Sequence, residues 1–183
     1  VEIFPYDWRG SVCDAAARLA ETLERLLPEA EHNNQPVHLV AHSMGGLVVR
    51  AMIADGGAGS AVWQRIVALP KSRFVMLGTP NRGSHEAVRW LTGNNPTQRK
   101  LALLDLTKDS DDVIDIVRDY PGLIELLPFA PEGRDFAEPA LWTALKAELK
   151  ATWPTASASV LGGARQTWQR LLGGLLMEVP LGL

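Results

Sequence analysis

Residues 37–50 read VHLVAHSMGGLVVR, and this stretch decides the fold. An apolar run typical of a buried strand leads into a serine, and a second apolar run follows two glycines. A strand-to-helix turn this sharp brings together the residues two before and two after the serine, so both must be small, as Ala41 and Gly45 are. The stretch therefore predicts a nucleophile elbow at Ser43, with the backbone N–H of Met44 placed to hold an oxyanion.

Apolar runs on both sides of this turn predict a three-stranded sheet. The predicted order is β-α-β-α-β, with strands over 1–4, 37–41 and 74–77 and helices over 12–27 and 44–54. Ser11 is placed to cap the first helix and Pro28 to end it. Because the strands are continuous apolar runs, they favour an α/β fold with a parallel sheet that is buried on both faces.

The composition excludes several classes of protein. Of the 183 residues, 46% are hydrophobic and 21% are charged, which is typical of a globular protein. The net charge of -3 and the lack of a basic stripe argue against a nucleic-acid partner. The single cysteine, Cys13, excludes an internal disulfide and a cysteine metal cluster.

The alternation of strands and helices stops after Trp90. Helical pieces are predicted over 101–106, 113–117 and 141–149. A helical segment inserted after a strand edge, above the serine, is typical of a cap or lid. We expect an α/β core portion over 1–93, a helical cap or lid over 94–150, and a tail without a predicted element over 151–183. Glycines, a glutamate and a proline interrupt the apolar stretch from residue 171, so no transmembrane span is expected.

Two loops rich in functional residue types follow the first and third predicted strands. They read YDWR over 6–9 and GTPNRGS over 78–84. Because the carboxyl ends of parallel strands meet at one edge of a sheet, both loops are expected to flank Ser43. Asp7 and Arg9 are expected to pair and hold their loop, with Tyr6 and Trp8 as the lining of an acyl pocket in the alternative. Asn81 and Arg82 are expected at the rim of a substrate site.

These two loops and the AHSMGG stretch over 41–46, in this order and spacing, resemble the lecithin:cholesterol acyltransferase-like group of α/β-hydrolase lipases. The stretch PGLIELLP over 121–128 is a weaker match to a cap segment of that group. The resemblance covers residues 1–128 and implies part of an α/β-hydrolase domain, a parallel sheet with flanking helices and a helical cap. It implies a serine-dependent lipase, esterase or acyltransferase that acts on lipid esters through an acyl-enzyme on Ser43, without a cofactor.

A serine nucleophile needs a histidine base and a carboxylate, which in this fold follow the serine in the chain. His42 is expected to point away from its neighbour Ser43, His38 to lie on a buried strand face and His32 in a polar loop. His85 is the remaining candidate, but it comes early for the order in the family, and capping or packing the next helix is favoured. The aspartates from Asp105 to Asp119 are expected on solvated helix faces, and no metal site is expected.

The chain is therefore expected to be an incomplete catalytic domain, whose partners are an ester substrate and the remainder of a larger polypeptide. It begins at Val1 without an initiator methionine or a targeting segment, which leaves the compartment open. The alternative is a non-catalytic α/β-hydrolase-like module used for binding or scaffolding. A sheet of so few strands would also expose apolar surface and open edges. The acyl chain, and the choice between ester, amide and thioester, are not predicted.

Overall fold

The computed structural model describes residues 1–97, 110–129 and 134–173. The chain forms two compact units, unit 1 with residues Val1–Asn81 and Thr167–Leu183, and unit 2 with residues Arg82–Gln166. The described strands are β1 (His38–His42) and β2 (Arg73–Leu77). The described helices are α1 (Val12–His32), α2 (Gly45–Ile53), α3 (Ala58–Ala68), α4 (His85–Leu91), α5 (Ser110–Val117), α6 (Pro121–Ile124), α7 (Pro139–Leu149) and α8 (Ala158–Gly173).

The sheet of unit 1 consists of β1 and β2, which run parallel and are joined through α2 and α3. Their register pairs His38 with Arg73 and His42 with Leu77. The parallel α/β arrangement is confirmed, but the predicted strand over residues 1–4 is wrong, since these residues are not in the sheet. A strand needs a neighbour that pairs with its backbone groups, and within the described residues β1 and β2 pair only with each other.

The two faces of the sheet differ in burial. One face consists of exposed residues, namely His38, Val40, His42, Arg73, Val75 and Leu77. The other face contacts the helices, because Ala41 is buried and the Phe74 ring meets Trp63 of α3 edge to face at 6.3 Å. The prediction of a sheet buried on both faces is therefore wrong: no described element covers the first face, where Val40 is 67% and Leu77 50% exposed. The apolar surface expected of so small a sheet is present.

Helix α1 packs against α2 and α3 to form the core of unit 1. Its buried residues recur every three or four positions, as in Leu19, Leu23 and Leu27. Ser11 is the N-cap, as predicted, and its hydroxyl accepts a hydrogen bond from the Cys13 N–H at 3.1 Å. The predicted end at Pro28 is wrong, because α1 continues to His32.

Helix α3 was not predicted from the sequence, although Val62 and Ile66 give it a buried stripe. The Asp55 carboxylate holds the start of α3 by accepting hydrogen bonds from the N–H groups of Gly57, Gly59 and Ser60, each at 2.8 Å. The two glycines before α3 indicate that a helix ends there. They give no sign that a second helix begins directly after them.

Unit 2 has its own core of aromatic and aliphatic residues. Trp142 lies at its centre, with ring centroids 5.9 Å from Phe136 and 6.1 Å from Trp153. The Trp142 indole N–H donates to the Phe136 carbonyl at 2.8 Å, which satisfies its buried polar atom. The helices predicted over 113–117 and 141–149 are confirmed within α5 and α7, and the one over 101–106 lies outside the described residues.

Helix α8 lies in the stretch 151–183, for which no element was predicted. The boundaries 1–93, 94–150 and 151–183 remain a prediction. Across the described residues, no helix combines the length and apolar character that crossing a membrane requires.

Replacing Pro28 by alanine is expected to raise the free energy of unfolding by about 2 kcal/mol. An alanine supplies the N–H that proline lacks and removes the clash of its ring within the helix, which together outweigh the greater freedom of the unfolded chain. Pro28 is exposed, so no packing is lost. Urea unfolding followed by circular dichroism measures the change, with Glu29→Ala as the exposed control on the same helix. A fall in stability for Pro28→Ala would contradict this account.

Candidate functional site

Ser43 lies between the last residue of β1 and the start of α2, in the left-handed region of backbone conformation with φ 52. This region is uncommon for a residue with a side chain and costs of order 1–3 kcal/mol. The Ser43 N–H donates to the Leu77 carbonyl at 2.8 Å, which extends the pairing of β1 with β2 by one residue. Met44 is already helical, with φ -55 and ψ -26, so the chain passes from strand to helix within one residue.

The first turn of α2 presents an unengaged backbone donor beside Ser43. The Gly46 N–H donates to the Ser43 carbonyl at 3.1 Å, and the Leu47 N–H donates to the Met44 carbonyl at 2.9 Å. Among the described atoms, none accepts a hydrogen bond from the Met44 N–H. Because the N-terminus of a helix carries a partial positive charge, this donor favours an oxygen that bears negative charge.

The close packing at this turn is strictest at Gly46. A Cβ on Gly45 would lie 3.7 Å from Ala41 Cβ and 3.8 Å from Tyr6 Oη, which is ordinary contact. A Cβ on Gly46 would overlap the Thr79 side chain and come within 2.8 Å of its Cβ. Ala41 and Gly45 lie close together, as predicted from their size. The strictest limit on side-chain size at this turn is at Gly46, and it is set by Thr79 in the loop after β2.

The loop after β2 runs beside α2, and polar contacts hold its far end. Arg50, near the end of α2, donates from Nη1 to Asn81 Oδ1 at 2.9 Å and from Nη2 to the Leu171 carbonyl at 3.0 Å. Thr79 Oγ1 is buried without a hydrogen-bond partner among the described residues. Asn81, predicted at the rim of a substrate site, is exposed and engages Arg50.

Sequence reasoning did not single out Arg50. The available signal was a charged residue four positions after Gly46, within the otherwise apolar run LVVRAMI. Burial lowers the pKa of Arg50 below its ordinary value. Since guanidinium groups titrate far above neutral pH, Arg50 stays charged.

The loop after the first predicted strand is held by an ion pair, as the sequence predicted. The Arg9 guanidinium donates to both carboxylate oxygens of Asp7, at 2.9 Å from Nε and 2.8 Å from Nη2, and the Arg9 N–H adds a bond at 3.0 Å. These hydrogen bonds lower the pKa of Asp7 from 3.8 to about 2. The Tyr6 ring is half-buried, which raises its pKa, and Trp8 is 51% exposed.

The histidines of unit 1 are not placed to serve Ser43. His32 is the last residue of α1 and not a loop residue, and His38 is exposed on the uncovered sheet face and not buried as predicted. His42 lies on that same face. Among the described residues of unit 1, no histidine hydrogen-bonds to Ser43 Oγ.

His85 belongs to unit 2 and is the first residue of α4. Its ring meets Phe136 edge to face with centroids 6.4 Å apart, a packing contact within unit 2.

Several of the clustered aspartates have protein partners. Asp111 accepts a hydrogen bond from the Thr152 hydroxyl at 2.7 Å, and Asp115 pairs with Arg118 at 3.1 Å. Asp119 accepts from the Ser157 N–H at 2.8 Å. Asp105 and Asp109 lie outside the described residues. These contacts give Asp111, Asp115 and Asp119 a structural role within unit 2.

The geometry defines an α/β protein with a parallel strand pair and a serine at a sharp strand-to-helix turn. A sequence profile of the family described as lecithin:cholesterol acyltransferase matches residues 1–150, and the chain belongs to this family. The resemblance noted in the sequence is thereby confirmed. The family has an α/β-hydrolase-like fold.

Uncharacterized protein YJR098C of Saccharomyces cerevisiae is a similar protein, 38% identical over 55 residues. The matched segment is 30% of this chain and 8% of that protein, so the chain spans only a small part of this relative. No solved structure matches the chain.

The Asp7 carboxyl is expected to titrate with a midpoint near pH 2, measured by NMR of its side-chain carbon. Because its pKa is lowered on folding, the ion pair contributes its full stability above about pH 3.8 and loses it as the pH falls through about 2. Replacing Arg9 by glutamine is expected to return the midpoint toward 3.8. An ordinary midpoint in the unaltered protein would contradict the pairing in solution.

Replacing Gly46 by alanine is expected to lower the free energy of unfolding by about 1–3 kcal/mol, because the new Cβ displaces Thr79. Gly162→Ala in α8 is the matched control, since a Cβ there meets no atom within 4 Å. The control is expected to raise stability by up to about 1 kcal/mol through helix propensity. Equal effects of both changes in urea unfolding would show that the Thr79 contact does not form.

Proposed function

We propose that this chain carries the nucleophile of a serine-dependent lipase, esterase or acyltransferase that acts on carboxylic esters of lipids. The observation that carries the proposal is the left-handed backbone of Ser43 between β1 and α2, next to the unengaged Met44 N–H. A serine held in a strained turn above the first turn of a helix exposes its hydroxyl and brings it close to a backbone donor.

The proposed reaction proceeds through an acyl-enzyme. Ser43 Oγ attacks the ester carbonyl carbon while a histidine takes its proton, and the carbonyl oxygen becomes an oxyanion that accepts a hydrogen bond from the Met44 N–H. Collapse of this intermediate breaks the ester C–O bond, and the histidine returns the proton to the departing alcohol. Attack by water then releases a fatty acid, whereas attack by another alcohol completes an acyl transfer.

The electrostatics of α2 support this role for Met44. Met44 precedes a helix of 9 residues, whose aligned peptide dipoles favour negative charge at this end. A preorganised oxyanion donor typically contributes about 10²–10³ in kcat, because it needs no rearrangement when the charge develops. The buried Met44 side chain anchors this backbone segment within unit 1.

The substrate class rests on family membership, since one fold hosts many chemistries. The acyl donor is proposed to be a lipid ester. Its alcohol portion and acyl chain are to be found by experiment, with phospholipid and sterol ester vesicles as the first substrates.

Labelling with a fluorophosphonate probe tests the proposal directly. The probe reacts only with an activated serine, and peptide mass spectrometry locates the modified residue. Labelling is expected at Ser43, to be lost in Ser43→Ala and to be retained in Ser60→Ala, a half-buried serine of α3. His85→Ala is included because retained labelling would assign the base to another residue.

The labelling is carried out on this chain and on a longer polypeptide that contains it. Modification of Ser43 in either sample supports the catalytic proposal. No modification in either sample, with binding to ester-lipid vesicles retained, would favour a binding or scaffolding module.

A further inference from the structure

Arg50 is a charged residue within an apolar helix. Its neighbours Val49 and Ala51 are buried, and its own guanidinium is partly withdrawn from water. Both acceptors that the described structure provides for it are uncharged carbonyl oxygens, from Asn81 and Leu171. Among the described residues no carboxylate pairs with Arg50, so these two hydrogen bonds are what compensates its partial withdrawal from water.

The place of Arg50 on α2 relates it to Ser43. Gly46 and Arg50 are four residues apart and therefore lie on one face of the helix. The loop after β2 follows that face, with Thr79 packed on Gly46 and Asn81 bonded to Arg50. At the near end of this segment, the Leu77 carbonyl accepts the hydrogen bond from the Ser43 N–H.

Three contacts, which follow the same order along both segments, therefore join residues 77–81 to residues 43–50. The first is a backbone hydrogen bond, the second is steric packing, and the third is the Arg50 hydrogen bond at the far end. The Asn81 N–H also donates to the Thr79 carbonyl at 2.9 Å, which couples the last two contacts. Asn81 is thus bonded to Thr79, which in turn packs on Gly46 in the turn after Ser43.

We propose that Arg50 is a positioning residue for Ser43, which acts by holding Asn81 and thereby keeps residues 78–81 against α2. This role rests on the proposed function of Ser43. Arg50 does not touch the reacting atoms; it stabilises the segment whose Leu77 carbonyl and Thr79 side chain support the left-handed conformation of Ser43.

The geometry requires an arginine in particular. Its two terminal nitrogens reach two acceptors on different segments at once, Asn81 from Nη1 and Leu171 from Nη2. A lysine carries a single ammonium on a flexible stem and lacks this planar fork. Lysine is therefore expected to restore part of the effect and methionine none of it.

The test measures the second-order rate constant of Ser43 labelling by the fluorophosphonate probe, in the sample in which Ser43 reacts. Arg50→Met and Asn81→Ala are each expected to slow labelling about tenfold, the order of effect that a small misplacement of a nucleophile produces. Because the two residues act through one contact, the double variant is expected to be no slower than Arg50→Met alone. Arg50→Lys is expected to lie between Arg50→Met and the unaltered protein.

Arg25→Met is the matched control, an exposed arginine of α1 whose described ion pair with Glu2 is long, at 3.9 Å. It is expected to label at the rate of the unaltered protein. The midpoint of thermal unfolding is measured for every variant, and labelling is carried out well below it. A merely structural role would lower the midpoint and leave the labelling rate unchanged.

The outcomes separate the two proposals. Labelling of the unaltered protein with unchanged rates in Arg50→Met and Asn81→Ala would overturn the positioning role alone. Slowing effects that multiply in the double variant would overturn the linkage through Asn81. No labelling of the unaltered protein would overturn the proposed function, and the positioning role with it. Should Arg50→Met not fold, Asn81→Ala decides, because Asn81 is exposed.

Discussion

The parallel pairing of β1 with β2 is the interaction on which the rest of unit 1 depends. It ends in the hydrogen bond from the Ser43 N–H to the Leu77 carbonyl, so the strand pair leads directly into the strained turn. The same pairing brings the loop after β2 beside α2, where Thr79 packs on Gly46. A left-handed serine persists only where its surroundings over-determine it, and these contacts do so here.

The serine turn is assembled without a histidine. Its backbone strain, the unengaged Met44 N–H and the Arg50 contact to Asn81 all lie within unit 1, whereas no described histidine of that unit bonds to Ser43 Oγ. The backbone conformation at Ser43 is therefore separable from the supply of a base. Family membership makes acyl transfer or ester hydrolysis on lipids the activity to test, and the geometry of this turn supports Ser43 as the residue to test first.

Sequence reasoning succeeded where the cause of a feature is local. The Ser11 cap and the Asp7–Arg9 pair each join residues two apart, and both were predicted. It failed where the outcome depends on what packs against an element. Residues 1–4 have the composition of a strand but no pairing strand among the described residues, and His38 is exposed because no described element covers its face of the sheet. At Pro28, the favourable packing of α1 overrides a signal that usually ends a helix.

The sequence by itself determined the strand, serine and helix over residues 38–53, and the family, because apolar periodicity and small residues act within a few positions of each other. Only the tertiary structure decided that Gly46 is packed more tightly than Gly45 and that Arg50 bonds to Asn81. These contacts join residues about thirty positions apart, 31 in the case of Arg50 and Asn81. No local pattern encodes such a pairing, because it exists only once β1 and β2 have brought their loops together.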